Sequence, residues 1–490
     1  TGLGRSALGA NTTGTQNVAV GAYTLDANTT SSNNTAVGYE ALTANTTGQA
    51  NTAIGRRALH VATTGEMNVA IGQGALESHT TASHNTAVGN GSVAYNTTGA
   101  GNTGVGSAAL ERNTTASNNT GIGYQAAKSN TTGDSVCAVG KDALFQSTTG
   151  NNVTAVGRSS LYSNTTGSDN TAVGKSALEQ NTTGSDNVAV GDLALEANTT
   201  ASGNTAVGSQ ALTTCTSGHS NTAVGNFALQ DLTTATHCTA LGKSALTNNT
   251  TGGNNISIGN FSLFNNTTGG NNTAVGYNTL GANTTADNNV AIGFNSLGGN
   301  TTGTHNVAVG AYAGDAITTG SDNIAIGYQA LTTNSTGDHN IAIGRGSLSL
   351  HTGTRCTSVG RASMEVNTAN DNTAVGYHAL VANTTGTSNT GIGSHALAAN
   401  TTAGSMTAVG YFALRNSTTG VNNTAVGTYA LEDNTTGVEN VAVGEGAIAN
   451  NTTGSYNTGI GRQSLVINTT GHNNVAMGVN ACGTQTVANG

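Results

Sequence analysis

A glycine recurs every 17 residues along this chain. Gly4, Gly21, Gly38, Gly55, Gly72, Gly89 and Gly106 open a series that runs to Gly478, and only the intervals Gly344 to Gly360 and Gly360 to Gly376 are one residue shorter. A unit of this size cannot enclose a core of its own, so it must bury its apolar face against neighbouring copies. The period therefore overrides the usual division of 490 residues into roughly two to four domains. It predicts a single continuous repeat domain over 1–490, with irregular coils at 345–376 and a degenerate last coil at 479–490.

Numbered from each glycine as position 0, the unit reads G-x-x-A-L-x-x-N-T-T-G-x-x-N-T/V-A-V/I. Position 16 is always apolar (Val20, Val37, Ile54, Ile71), and position 14 is Thr, Val or Ile except at Cys137. Position 15 between them is Ala, Gly or Ser, as in Ala19, Gly104 and Ser257. This alternation predicts a short strand, with positions 14 and 16 on one side and position 15 on the other. Leu holds position 4 in 23 of the 29 units. Two turn clusters leave no room for a helix around it, so a second short strand or extended arm is expected. The expected fold is all-β: a parallel β-solenoid, or β-roll, of about 29 coils. Val20, Val37, Leu25 and Leu42 are the expected core. The small residues Ala19, Ala36, Ala53 and Ala70 form a candidate chain–chain interface, or else a crowded interior.

The corners carry their own signals. Gly21, Gly38 and Gly55 belong to an invariant column, which points to a positive φ or a very close backbone approach. At position 10, glycine alternates with Ser31, Ala82, Ala116 and Ala201, so smallness is expected to matter there more than handedness. Asn17, Asn34 and Asn51 at position 13 and Asn11, Asn28 and Asn45 at position 7 can hydrogen-bond along their columns and satisfy the turn backbone.

Composition excludes several classes of function. Charged residues make up 8% and aromatic residues 4%, and the net charge of −9 is spread thinly. No basic stripe accompanies stacking aromatics, so nucleic acid is not an expected partner. No apolar run is long enough for a membrane-spanning helix, so this segment is not expected to insert. The chain opens mid-pattern at Thr1-Gly2-Leu3-Gly4 and is expected to be part of a longer or processed protein. The five cysteines fall at unlike positions of the unit and suggest isolated substitutions rather than disulfides or a zinc site. Histidines such as His305 and His339 stand two coils apart, too far to share a metal. No catalytic grouping stands out, so an enzyme, a metal and a cofactor are not expected.

Asn288-Asn289-Val290-Ala291-Ile292-Gly293, Asn17-Val18-Ala19-Val20-Gly21 and Asn68-Val69-Ala70-Ile71-Gly72 resemble the N-S-V-A-I-G repeat of YadA-like trimeric autotransporter adhesin heads. Similar N-T-A-V-G…N-T-T-G arrays resemble those of phage tail fibres and long bacterial surface proteins. The resemblance covers the whole chain, although the adhesin repeat is usually shorter. It implies a left-handed roll and self-association, as a homotrimer or an end-to-end filament. It also implies an extracellular or cell-surface location, with a host-cell, surface or matrix receptor that the residues do not name. The expected function is a non-catalytic structural subunit of an extracellular fibre or adhesin head. The alternative is a phage tail fibre shaft on the virion. Ice binding is a more distant one, raised by the Thr12/Thr13, Thr29/Thr30 and Thr46/Thr47 rows. Ice-binding faces usually present two outward Thr columns with one inward residue between them, whereas these threonines are adjacent.

Overall fold

The computed structural model describes residues 1–484 as a parallel β-solenoid with no helix. It comprises two units, Thr1–Thr251 and Gly252–Gly490. The first contains β1 (Gly2–Leu3), β2 (Val18–Val20) and one three-residue strand per coil up to β15 (Thr239–Leu241). The second repeats the pattern from β16 (Ile256–Ile258) to β29 (Val475–Met477). Within each unit like pairs with like: Val18 with Thr35, Ala19 with Ala36, Val20 with Val37. Residues 485–490 of the expected degenerate coil lie outside the described residues.

The inside and outside of the strand are opposite to the sequence expectation. Ala19, Ala36, Ala53 and Ala70 are fully buried within their own coils, so that column is interior and cannot be a chain–chain interface. Leu25 and Leu42 are fully buried as expected. Val20 and Val37 are half-exposed on the outer face and are not core. The reason is space. Leu from position 4 already fills most of the small lumen, which leaves room for nothing larger than Ala or Ser at position 15. At Gly121, for example, an added Cβ would stand 2.9 Å from Leu110 Cγ.

The segment after each glycine is a run of turns rather than the expected second strand. Positions 2 and 4 have positive φ, as in Tyr23 (60°) and Leu25 (51°), while the residues between them do not. Left-handed backbone costs an L-residue roughly 1 to 2 kcal/mol. Burying Leu offsets a cost of that size, and the turn also keeps its backbone satisfied. Tyr23 N–H donates back to Arg5 (2.8 Å), and Leu25 N–H donates forward to Ala41 (3.1 Å). Coil-to-coil bonding thus continues well past the strand.

Both glycine columns behave as their substitution patterns suggest. Gly21 has φ 133°, and a Cβ on it would lie 2.5 Å from the Gly38 carbonyl oxygen. Positive φ and close approach therefore both exclude a side chain. Gly14 and Gly48 have no positive φ, and Ala82 and Ala116 occupy their column. No two alanines are neighbours in that column, because each would press on the carbonyl of the coil above. The two 16-residue coils leave the strands in register: β21 (Ile341–Ile343) pairs with β22 (Thr357–Val359), and β22 with β23 (Thr373–Val375). The lost residue comes out of the corner instead, at His351-Thr352-Gly353 and Asn367-Thr368-Ala369.

Candidate functional site

Inside the corners run two amide ladders. Asn34 and Asn51 are fully buried, and Asn17 nearly so. Asn34 N–H donates to Asn17 Oδ1 (3.0 Å) and Asn51 N–H to Asn34 Oδ1 (2.9 Å). Their amide nitrogens reach the next coil's corner carbonyl, as Asn51 Nδ2 does to Gly65 (2.8 Å). The position-7 ladder runs likewise, with Asn28 Nδ2 donating to Asn11 Oδ1 at 2.8 Å. A buried polar group without a partner is costly. The position-7 ladder supplies one where the next coil carries Asn, and leaves the Oδ1 of Asn45, Asn130, Asn198, Asn300 and Asn400 unpartnered where it does not. The asparagines of both ladders bond along their columns and to the corner backbone.

Two buried histidines replace ladder asparagines. His79 Nε2 lies 2.6 Å from the Ala82 carbonyl. In the first short coil, His351 Nε2 meets Asn340 Oδ1 (3.1 Å), and its Nδ1 lies 3.2 Å from Asn367 Nδ2 and 2.8 Å from the Asn367 carbonyl. Burial pushes both imidazoles below the ordinary histidine range. The Cys215 thiol is pushed up to about 12, and that of Cys356 to about 11, again chiefly by burial. All five cysteines are free thiols. Among the described residues no three His, Cys, Asp or Glu side chains converge as metal ligands.

The corner threonines divide by place. The first of each pair turns its hydroxyl onto its own backbone stack, with Thr46 Oγ1 donating to Thr63 (3.1 Å) and Thr114 to Thr131 (2.9 Å). The second, such as Thr30 or Thr47, faces solvent. They do not form a pair of outward columns. That arrangement occurs instead on the strand face, where Thr35 and Val37 flank the inward Ala36.

The strand face recurs at every full-length strand of each unit. Every full-length strand contributes one residue from position 14 and one from position 16, half-buried or exposed. Ile54 is 39%, Ile122 40% and Val224 38% exposed in the first unit, and Ile256 42% and Ile292 40% in the second. Its chemistry is that of branched hydrocarbon with interspersed hydroxyls. The signal in the sequence was the abundance of Thr at position 14, which suits an outer face better than a lumen.

Two features escaped the sequence reading because they depend on which side chain is missing. Gly74 and Gly91 leave a notch of about 190 Å³ beside Arg56, Arg57 and Glu111. Gly346 leaves another of about 220 Å³ between Arg345 and Arg361. Compared with family models and with curated proteins, the chain matches none. Among the described residues no helix is long and apolar enough to cross a membrane.

Proposed function

We propose that the chain is a non-catalytic structural element of an extracellular fibre or adhesin head, and that it associates side by side with copies of itself through the strand face. The observation that carries this reading is the pair of largely branched columns at positions 14 and 16 that runs along the strands of each unit. Contiguous exposed apolar surface on this scale marks an interaction site, and its regular repeat suits a partner with the same repeat. The turns support the extracellular part. Backbone hydrogen bonds tie successive coils together through the corners as well as the strands, so a protease must first unfold a coil. The resemblance to surface-fibre repeats agrees with both.

The test is light scattering coupled to size exclusion on the full chain and on an Ile54→Lys, Val105→Lys, Val224→Lys variant. The expected result is a defined oligomer, a trimer by resemblance, that the lysines convert to monomer while circular dichroism is unchanged. A monomeric wild type, or an oligomer indifferent to the three lysines, refutes lateral association. One specific observation favours a second reading. The face sets two outward columns about one inward residue, an ice-binding arrangement, and thermal hysteresis from a monomeric chain would establish it.

A further inference from the structure

In most coils the two residues after the glycine are small or polar, such as Ser107 and Ala108 or Lys175 and Ser176. Between Gly259 and Gly427, inside the second unit, every coil places a ring or a guanidinium there. Phe261, Tyr277, Phe294, Tyr312 and Tyr328 follow one another with centroids 6.0, 5.5, 5.2 and 6.4 Å apart. The guanidinium of Arg345 then lies 5.8 Å from the Tyr328 ring. One coil on, Arg361 sits 5.7 Å from Tyr377, and the row continues through His395 and Phe412 to Tyr429 at 5.2, 5.2 and 5.7 Å. The row extends over about 50 Å at ~4.8 Å per coil. Its rings are open to solvent: Tyr277 is 50%, Phe294 46% and Tyr328 45% exposed.

Two details give the row a chemical character. In four of the five coils where a ring stands first, an amide or imidazole stands beside it (Asn278, Asn295, Gln329 and His378), and at Tyr411 the neighbour is Phe412. At the centre, Arg345 and Arg361 border the notch left by Gly346, where nothing lies within 4 Å of an added Cβ. Glu365 is the carboxylate on its rim. Neither guanidinium belongs to an ion pair among the described residues.

We propose that this stripe binds an extended acidic polysaccharide lying along the solenoid axis, with its sugar rings against the aromatic row and a uronate carboxylate at the Arg345–Arg361 notch. A sugar ring offers an apolar C–H face and a rim of hydroxyls. Aromatic side chains pair with the first, and the neighbouring amides pair with the second. The rise of one pyranose in an extended chain is of the same order as one coil, so a few successive sugars meet successive rings. Guanidinium is the side chain suited to bidentate grasp of a carboxylate. Nucleic acid fits less well, because one pair of arginines in so long a row, on a chain of net charge −9, gives little phosphate neutralisation.

Affinity electrophoresis and calorimetry of the full chain, with polygalacturonate as the acidic probe and cellohexaose as the neutral one, test the proposal. The expected result is binding to polygalacturonate, weakened at least tenfold by Tyr328→Ala with Tyr377→Ala. Arg345→Gln with Arg361→Gln should abolish the preference for the acidic over the neutral polymer. Tyr124→Ala, an exposed tyrosine of the first unit, should change neither. All five sites are solvent-exposed turns, and circular dichroism verifies that each variant folds. Failure of both polymers to bind overturns the proposal. So does a loss in the Tyr328/Tyr377 variant no larger than that of Tyr124→Ala, or release of self-association in place of lost glycan binding.

Discussion

Gly140 and Gly150 lie in one coil and separate the two roles that glycine plays here. Gly140 follows the strand Cys137–Val139 and has φ 134°. An alanine Cβ there would stand 2.6 Å from the Gly157 carbonyl oxygen and 2.7 Å from its carbon. Gly140→Ala incurs about 1 to 3 kcal/mol for the disallowed backbone. It also forces the neighbouring coil away, straining the bonds from Gly140 to Ile122 and from Gly157 to Val139, both 2.8 Å. At roughly 1 kcal/mol net for each bond, the total reaches ~3 to 5 kcal/mol. An added Cβ at Gly150 would stand 2.4 Å from the Gly167 carbonyl oxygen. But Gly150 has no positive φ and sits between Gly133 and Gly167, the setting in which natural alanines such as Ala116 occur, so this corner yields to a methyl. Gly150→Ala should therefore stay within about 1 kcal/mol. Repeat arrays do not unfold in two states, so the assay is native-state hydrogen exchange resolved to single coils. At 1.4 kcal/mol per tenfold, Gly140→Ala should lose protection around residues 137–158 by on the order of 10² to 10³. Equal protection in the two variants would refute the argument that backbone sign, more than close approach or smallness, selects glycine at position 0.

Further outcomes can be checked in the same way. Ala206→Val adds two methyls to a fully buried site and should cost about 1 to 3 kcal/mol, whereas Val207→Ala on the outer face should cost well under 1 kcal/mol. The reverse order in local exchange would return the strand to its apolar-in reading. Asn187→Ala strands the Asn204 N–H, which Asn187 Oδ1 now accepts at 3.0 Å, while the Ala201 carbonyl loses one of two donors and keeps Asn198 Nδ2 at 3.1 Å. A loss of about 1 to 3 kcal/mol for the one stranded group should appear as fast exchange in that coil alone. His351 is held below its ordinary pKa, so the folded chain binds fewer protons than the unfolded one in mild acid. Its coil should keep full protection above about pH 6.5 and lose it as the pH falls. His351→Asn restores the repeat residue and should flatten that dependence, as measured by exchange at pH 5 and pH 7.5.

The fold was legible because its determinants repeat. One glycine in 17 fixes the coil, and the buried amides of Asn17, Asn34 and Asn51 hold the corners that their spacing implies. The direction of the strand was not legible from alternation alone. Val18-Ala19-Val20 satisfies a period of two whichever side is inward, and the rule that apolar residues go inside chose wrongly. The size limit at position 15, where Gly104 and Gly121 replace Ala, held the answer once the volume of Leu110 was set against it. The left-handed Leu25 and its counterparts could not be foreseen either. Leucine has no local preference for that conformation, and only the lumen it fills makes the conformation stable. The aromatic row was hidden for another reason. Its members alternate between the first and second places after the glycine, and only the turn brings them onto one edge.

In-register pairing of identical positions has a consequence for how such a chain finds its fold. A coil that docks one place too early in the stack meets nearly the same partners as in the native one, so a slip of 17 residues is almost free of penalty except at the ends. Departures from the repeat remove that degeneracy. The two short coils, His79 and His351 in the amide ladders and the paired Arg355 and Asp371 (2.7 Å) fit only their own neighbours. They serve as registration marks, by which a sequence that otherwise reads the same at every step can count its own coils.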